Sequence, residues 1–231
     1  MYLCTQINIM STSMIDLFAT RGELVPKDVS PFQTFSGRGM KFHLQSYDWC
    51  CGIGSTGNGC ACVSHLSMNA FLGLMTMETV ICTPYAKDVP LFSFDSISAF
   101  GKKSLLMEVY DTQVAPIDLS TMDAVKDSYH DLKNRQPKPA WYDNLRLSPS
   151  TFKEGDKVRL SKLATEMTAA YLDLFATARD VERSAKVAKS RAYVEGLIRN
   201  GGPAINAVRK MLGDEPTETM FRRFLFGTEA E

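Results

Sequence analysis

The sequence predicts an α+β fold: a single sandwich in which helices pack on a central antiparallel sheet. Three observations carry this expectation. From about Lys41 to Leu119 the chain has the texture of short strands, with frequent Gly, Pro and β-forming residues. The connections between those strands are short hops, which suit antiparallel neighbours rather than βαβ crossovers. Beyond Leu160, apolar residues recur at three- and four-residue steps, the spacing of amphipathic helices.

Taken in order, Val63 to Ala70 reads as one strand and Leu74 to Thr83 as its partner, with Phe71-Leu72-Gly73 between them. In the second strand Met75, Met77 and Thr79 face one way, and Thr76, Glu78 and Val80 the other. Leu91 to Ile97 and Ser104 to Asp111 form two further strands joined by a turn around Gly101. Asn134 to Pro139 and Leu147 to Ser150 read as loops. The stripe Leu160, Leu163, Met167, Tyr171, Leu174 predicts a helix, and Arg179 to Ile198 continues helical with a heavily charged face. Gly201-Gly202 breaks that helix, and Pro203 opens another that runs to Leu212 and stops at Gly213. A last short helix carries Met220, Phe221, Phe224 and Leu225.

The chain has 231 residues, room for a core that needs no disulfide or metal to hold it. Lys and Arg number 26, and so do Asp and Glu, which leaves no basic excess for a general polyanion binder; no nucleic-acid partner is expected. No apolar run reaches the roughly 18–20 residues of a membrane span, so no membrane partner is expected. Met1 to Thr20 lacks a basic n-region and carries Thr5, Gln6, Asn8 and Ser11, unlike a signal peptide. A cytoplasmic monomer with reduced cysteines is the resulting expectation.

Gly52-Ile53-Gly54-Ser55-Thr56-Gly57 matches GxGxxG, but a strand follows it where a phosphate loop needs a helix, so a hairpin connection is expected. Cys50, Cys51, Cys60 and Cys62 crowd together, yet adjacent Cys and Cys-x-Cys fit metal ligation poorly, because strand neighbours point to opposite faces. No metal site is expected, and neither His43 nor His65 has a sequence signature pairing it with a Cys nucleophile. Arg179, Arg183, Lys186, Lys189 and Arg191 form a basic helix face that could meet an acidic protein. Twelve Met and thirteen Phe could fill the core or line a pocket for a large flat ligand.

Four stretches, in order, resemble the ferredoxin-dependent bilin reductases. His65-Leu66-Ser67 followed by Met75 to Pro84 is similar to that family's paired strands. Asp88-Val89-Pro90-Leu91-Phe92-Ser93-Phe94-Asp95 is similar to its Asp-Leu-Pro strand ending in aspartate, and Pro139-Ala140-Trp141 falls where the family has Pro-x-Trp. Gly202-Pro203-Ala204, Met211 to Glu215 and Phe224 to Gly227 are similar to its C-terminal pattern. The resemblance spans about residues 40–227. It implies an α/β/α sandwich with helices on both faces and a linear tetrapyrrole between the sheet and the C-terminal helices. It further implies no cofactor bound in the enzyme, electrons delivered singly by reduced ferredoxin, and protons donated to a bilin radical. Asp95 matches the family's catalytic aspartate, and a carboxyl group beside bilin nitrogens in a dry pocket has its pKa raised toward proton donation. His65, Ser67, Met77, Thr79, Phe92 and Gly202 are the expected bilin-binding residues, and Arg179, Arg183 and Lys186 the expected ferredoxin contacts. Thr79, Ser67 and Gly202 depart from the family: they stand where various members have His or Asn, Glu, and a second Asp.

Overall fold

A computed structural model describes residues 9–51 and 59–229, and the Gly-rich loop at 52–58 lies outside them. The chain runs α1 (Ile9–Arg21), β1 (Gly22–Pro26), β2 (Thr34–Gly37), β3 (Met40–Cys51), β4 (Ala61–Ala70), β5 (Met75–Pro84), β6 (Leu91–Ala99), β7 (Lys102–Tyr110), α2 (Ser120–Ser128), β8 (Lys133–Asn134), β9 (Thr151–Glu154), α3 (Lys157–Thr177), α4 (Arg183–Asn200), α5 (Pro203–Leu212) and α6 (Asp214–Thr219). A π-helical turn, Met220–Leu225, follows α6. Among the described residues the strands form a nine-stranded sheet in the order β1-β3-β4-β5-β6-β7-β9-β8, with β2 also pairing with β3. Every strand pair is antiparallel.

The pleat divides the side chains of the sheet between two cores. On one face, Val63, Val80, Cys82, Phe92, Phe94, Leu105 and Met107 pack with Met14 and Phe18 of α1, Met122 of α2 and the stripe Leu160, Leu163, Met167, Tyr171 of α3. On the other, Phe42, Leu44, Leu66, Ile81, Leu91 and Tyr110 pack with Tyr193, Val194 and Leu197 of α4, Ile205 and Val208 of α5, and Phe221 and Phe224 of the π turn. The fold is therefore an α/β/α sandwich, as the sequence predicts. Its two cores bury large apolar side chains, each worth about 1.5–3 kcal/mol removed from water.

Helix boundaries follow local chemistry. Asp156 caps α3 by accepting from the amides of Val158 and Arg159 at 2.8 and 3.3 Å. Pro203 opens α5, and Gly213, with φ at +83°, closes it. One expectation is corrected: Arg179 does not lie in the helix. The chain leaves α3 at Thr177, and the stretch after it pairs with the end of the β5–β6 connection, where Asp88 N donates to Arg179 O at 3.0 Å and Val181 N to Ala86 O at 3.1 Å. Glu182 then caps a new helix, accepting from Ala185 N at 2.9 Å. Asn134, read as loop, belongs to the short strand β8.

Two hairpin tips carry backbone strain. Phe71, Leu72 and Phe100 have φ of +52°, +55° and +50°. The left-handed region costs such side chains about 1–2 kcal/mol each.

Candidate active site

Alternation along β4 to β7 aims one row of side chains at the α4–α5 side. Thr79 pairs with Leu66 on β4 and with Asp95 on β6, and Asp95 pairs with Leu106 on β7. These side chains, with Met77, Ile81, Ser93, Ile97, Glu108 and Tyr110, form the floor of a cavity of about 220 Å³. Its roof is Tyr193 and Leu197 of α4, the start of α5 at Gly202, Pro203, Ala204 and Ile205, and Phe221, Leu225 and Phe226. A second cavity, of about 550 Å³, adjoins it and shares Leu106, Tyr142, Gly202 and Pro203. Together they make a groove whose combined space is in the range of small-molecule sites.

The groove is aromatic. Tyr110 and Tyr193 lie with ring centroids 4.4 Å apart, and Tyr193 lies 6.0 Å from both Trp141 and Phe226. Trp141 packs where Gly196 of α4 leaves room: a Cβ at that position would sit 2.1 Å from its ring. The indole N–H donates to Gly201 O at 3.2 Å, which ties the loop holding Trp141 to the α4–α5 corner. Flat faces of this kind stack with conjugated ligands.

Two carboxyl groups line these walls, Asp95 and Glu108. Burial pushes the Asp95 carboxyl up to about 7 from an ordinary value near 4. Its hydrogen bond from the Thr79 hydroxyl opposes that rise and the negative charge of Glu108 adds to it. Asp95 keeps some accessible surface. Glu108 itself is held in place: the Tyr110 hydroxyl donates to Oε2 at 2.6 Å and Arg146 Nε donates to Oε1. A carboxyl group poised near neutrality, on the floor of an aromatic-walled groove, can give and take a proton at physiological pH.

The structure therefore brings Asp95, Met77, Thr79 and Gly202 together. It does not bring His65, Ser67 or Phe92 to them, and these expectations are corrected. Residues of opposite parity point through the sheet, so Phe92 stacks on Tyr171 of α3 at 4.6 Å within the other core. His65 and Ser67 also sit on that far face; His65 Nε2 lies 2.5 Å from Glu78 Oε2, and its Nδ1 lies 3.2 Å from Gln45 Oε1.

The expected ferredoxin contacts are revised as well. Lys186 is fully buried, its ammonium donating to Thr112 O at 2.7 Å and Thr112 Oγ1 at 3.2 Å, so it meets no partner protein. Burial pulls its pKa down to about 8. Arg179 pairs with buried Asp88 at 3.0 Å, and Arg183 lies over the Tyr85 ring at 3.8 Å. The cysteines also differ from expectation. Cys51 and Cys60 form a disulfide, because the β3–β4 hairpin sets their Cα atoms 5.7 Å apart. Cys50, Cys62 and Cys82 are free and buried, and among the described residues no group of His, Cys, Asp or Glu could hold a metal ion.

Sequence reasoning missed Glu108, Tyr110, Tyr142 and Tyr193. For Glu108 and Tyr110 the signal was present: both share the parity of Leu106, which lies opposite Asp95. The chain matches no protein-family model, and no curated protein matches it. No helix among the described residues is long and apolar enough to cross a membrane.

Proposed function

We propose that this chain is a ferredoxin-dependent reductase of a linear tetrapyrrole such as biliverdin, with Asp95 as the proton donor. The observation that carries the reading is Asp95 itself: a carboxyl group with its pKa near 7, hydrogen-bonded by Thr79, on the floor of an aromatic groove roofed by Gly202 and Pro203. The bilin would lie along the groove with its nitrogens toward Asp95. Reducing one double bond takes two electrons and two protons. Two ferredoxins each give one electron and are oxidised; Asp95 protonates the bilin radical and recovers its proton from water, which also supplies the second. The enzyme would act as a monomer, its acidic ferredoxin docking near Arg179 and Arg183.

A second reading is a tetrapyrrole-binding protein that is non-catalytic or differently specific, or a reductase of a chlorophyll-derived open tetrapyrrole. It is favoured by Thr79 and Gly202, which offer no acid where bilin reductases place further proton donors. An anaerobic assay with reduced ferredoxin and biliverdin, followed by absorbance, separates these readings. Loss of the bilin band with product formation supports the reductase. A bound, shifted and unreduced spectrum supports the binding protein, and no bilin bound at micromolar concentration removes both.

A further inference from the structure

The tips of the β4–β5 and β6–β7 hairpins stand side by side at one end of the sheet, since Met75 pairs with Ala99. They carry Phe71, Leu72, Leu74 and Phe100, whose relative exposures are 59, 106, 60 and 70%. The Phe71 and Phe100 rings are 6.2 Å apart, so the side chains form one knob rather than scattered surface residues. At Phe71, Leu72 and Phe100 the backbone is left-handed, where Gly or Asn would sit with less strain and greater solubility. Bulky apolar side chains at strained, exposed turns point to a use outside the fold.

Basic residues ring the knob. Lys102 pairs with Ala99 and Lys103 with Ser98, directly behind the Phe100 turn. Lys41 pairs with Asn69 behind the Phe71 turn, and Arg38 lies in the adjoining β2–β3 turn. None of these four cations forms an ion pair among the described residues. The carboxylates nearest along the strands are engaged elsewhere, Glu78 by His65, and Glu154 by Lys133 and Arg135.

We propose that this end of the sheet docks on an anionic lipid surface, the apolar tips entering the headgroup region while Arg38, Lys41, Lys102 and Lys103 meet lipid phosphates and carboxylates. A stable protein interface needs about 800 Å² from each partner, arranged as a broad patch. Two narrow turns instead present a protruding point, which suits insertion about 5–10 Å into an interface. The attraction of the basic ring to an anionic leaflet supplies the second signal that such shallow insertion needs. The attachment is peripheral and does not depend on what the groove binds.

Sedimentation of the whole protein with vesicles tests it. Vesicles of mixed phosphatidylserine and phosphatidylcholine should carry the protein down, and vesicles of phosphatidylcholine alone should carry far less. The double substitution Leu72→Ser with Phe100→Ser should lower the partition coefficient at least about tenfold. Lys102→Gln and Lys103→Gln should each lower it roughly fivefold at low salt. These positions lie at the surface, and unchanged circular dichroism and melting temperature would show the variants folded. Equal binding to both vesicle types, binding unaffected by the tip substitutions, or no binding at all would overturn the proposal. So would a dimer, seen by analytical ultracentrifugation without lipid, that the tip substitutions dissociate, because the knob would then belong to a second copy of this chain.

Discussion

The Thr79 hydroxyl donates to the Asp95 carboxylate across β5 and β6, where the two residues stand directly opposite in the register. The bond favours the charged form of a carboxyl group that its surroundings drive toward the neutral form. Thr79 thereby holds the Asp95 pKa below where burial and the charge of Glu108 would otherwise put it.

Removing that hydroxyl should make Asp95 a weaker acid. In Thr79→Val, which preserves the branched shape, the Asp95 titration should move above its value of about 7 in the native protein. Carboxyl-carbon NMR of the unliganded protein reads the shift directly. A titration unchanged or moved downward would show that the hydroxyl plays no part in setting the proton affinity.

Asp95→Asn should separate binding from chemistry. The amide is nearly isosteric, so bilin affinity should change little, while turnover should fall about 10²–10⁴-fold, the usual worth of a general acid. A bilin radical should accumulate, because electrons arrive and protons do not; its spectrum under anaerobic conditions is the measurement. Full turnover in the Asn variant would make Asp95 a structural residue.

The same substitution changes how stability depends on pH. Because the folded carboxyl titrates near 7 and the unfolded one near 4, the folded chain holds the extra proton between those values. Stability from this group is fully present below about pH 4 and is lost as the pH rises through about 7. Denaturant midpoints of the native protein minus those of Asp95→Asn should therefore fall between pH 4 and 7. A flat difference would mean that Asp95 titrates alike in both states.

The face assignments can be tested through Phe92. Packed on Tyr171 in the core opposite the groove, Phe92 should contribute stability and nothing to ligand recognition. Phe92→Ala should cost about 3–5 kcal/mol of unfolding free energy, while bilin affinity of the folded fraction stays unchanged. A large loss of affinity would return Phe92 to the binding site.

Much of this architecture was legible because strands and helices write their burial into the sequence with different periods. The meander from β4 to β7 and the start of α5 at Pro203 follow from alternation and turn residues alone. Parity also says that Asp95 and Phe92, three residues apart on one strand, cannot share a face, although motif similarity had grouped them. Other features depended on contacts distant in sequence. Lys186 reads as one cation in a charged helix, and only the Thr112 carbonyl from the loop after β7 explains its burial. The partnership of Cys51 with Cys60 likewise needs the hairpin register that spacing alone does not supply.

Lys186 leaves a signature at alkaline pH. Its ammonium is buried against Thr112 with its pKa near 8, whereas an unfolded lysine titrates near 10.4. Between those values the unfolded chain binds the extra proton, so stability from this group rises with pH. Burial also raises the pKa of Tyr171 and Tyr193, which makes the opposite contribution once unfolded tyrosines ionise near pH 10. Burial likewise holds the Cys62 and Cys82 thiols protonated where unfolded thiols ionise, at about pH 8.5, so the native curve as a whole falls with pH. The Lys186 rise shows in the difference between the native protein and a variant that lacks its charge. Native stability minus that of Lys186→Met, which keeps the length of the side chain and removes the charge, should therefore rise between about pH 8 and 10. Equilibrium denaturation of both proteins across that range measures the difference. If native protein and variant gave parallel curves from pH 8 to 10, the ammonium would be as well solvated in the folded chain as in the unfolded one, and Lys186 could again be counted among the surface cations of α4.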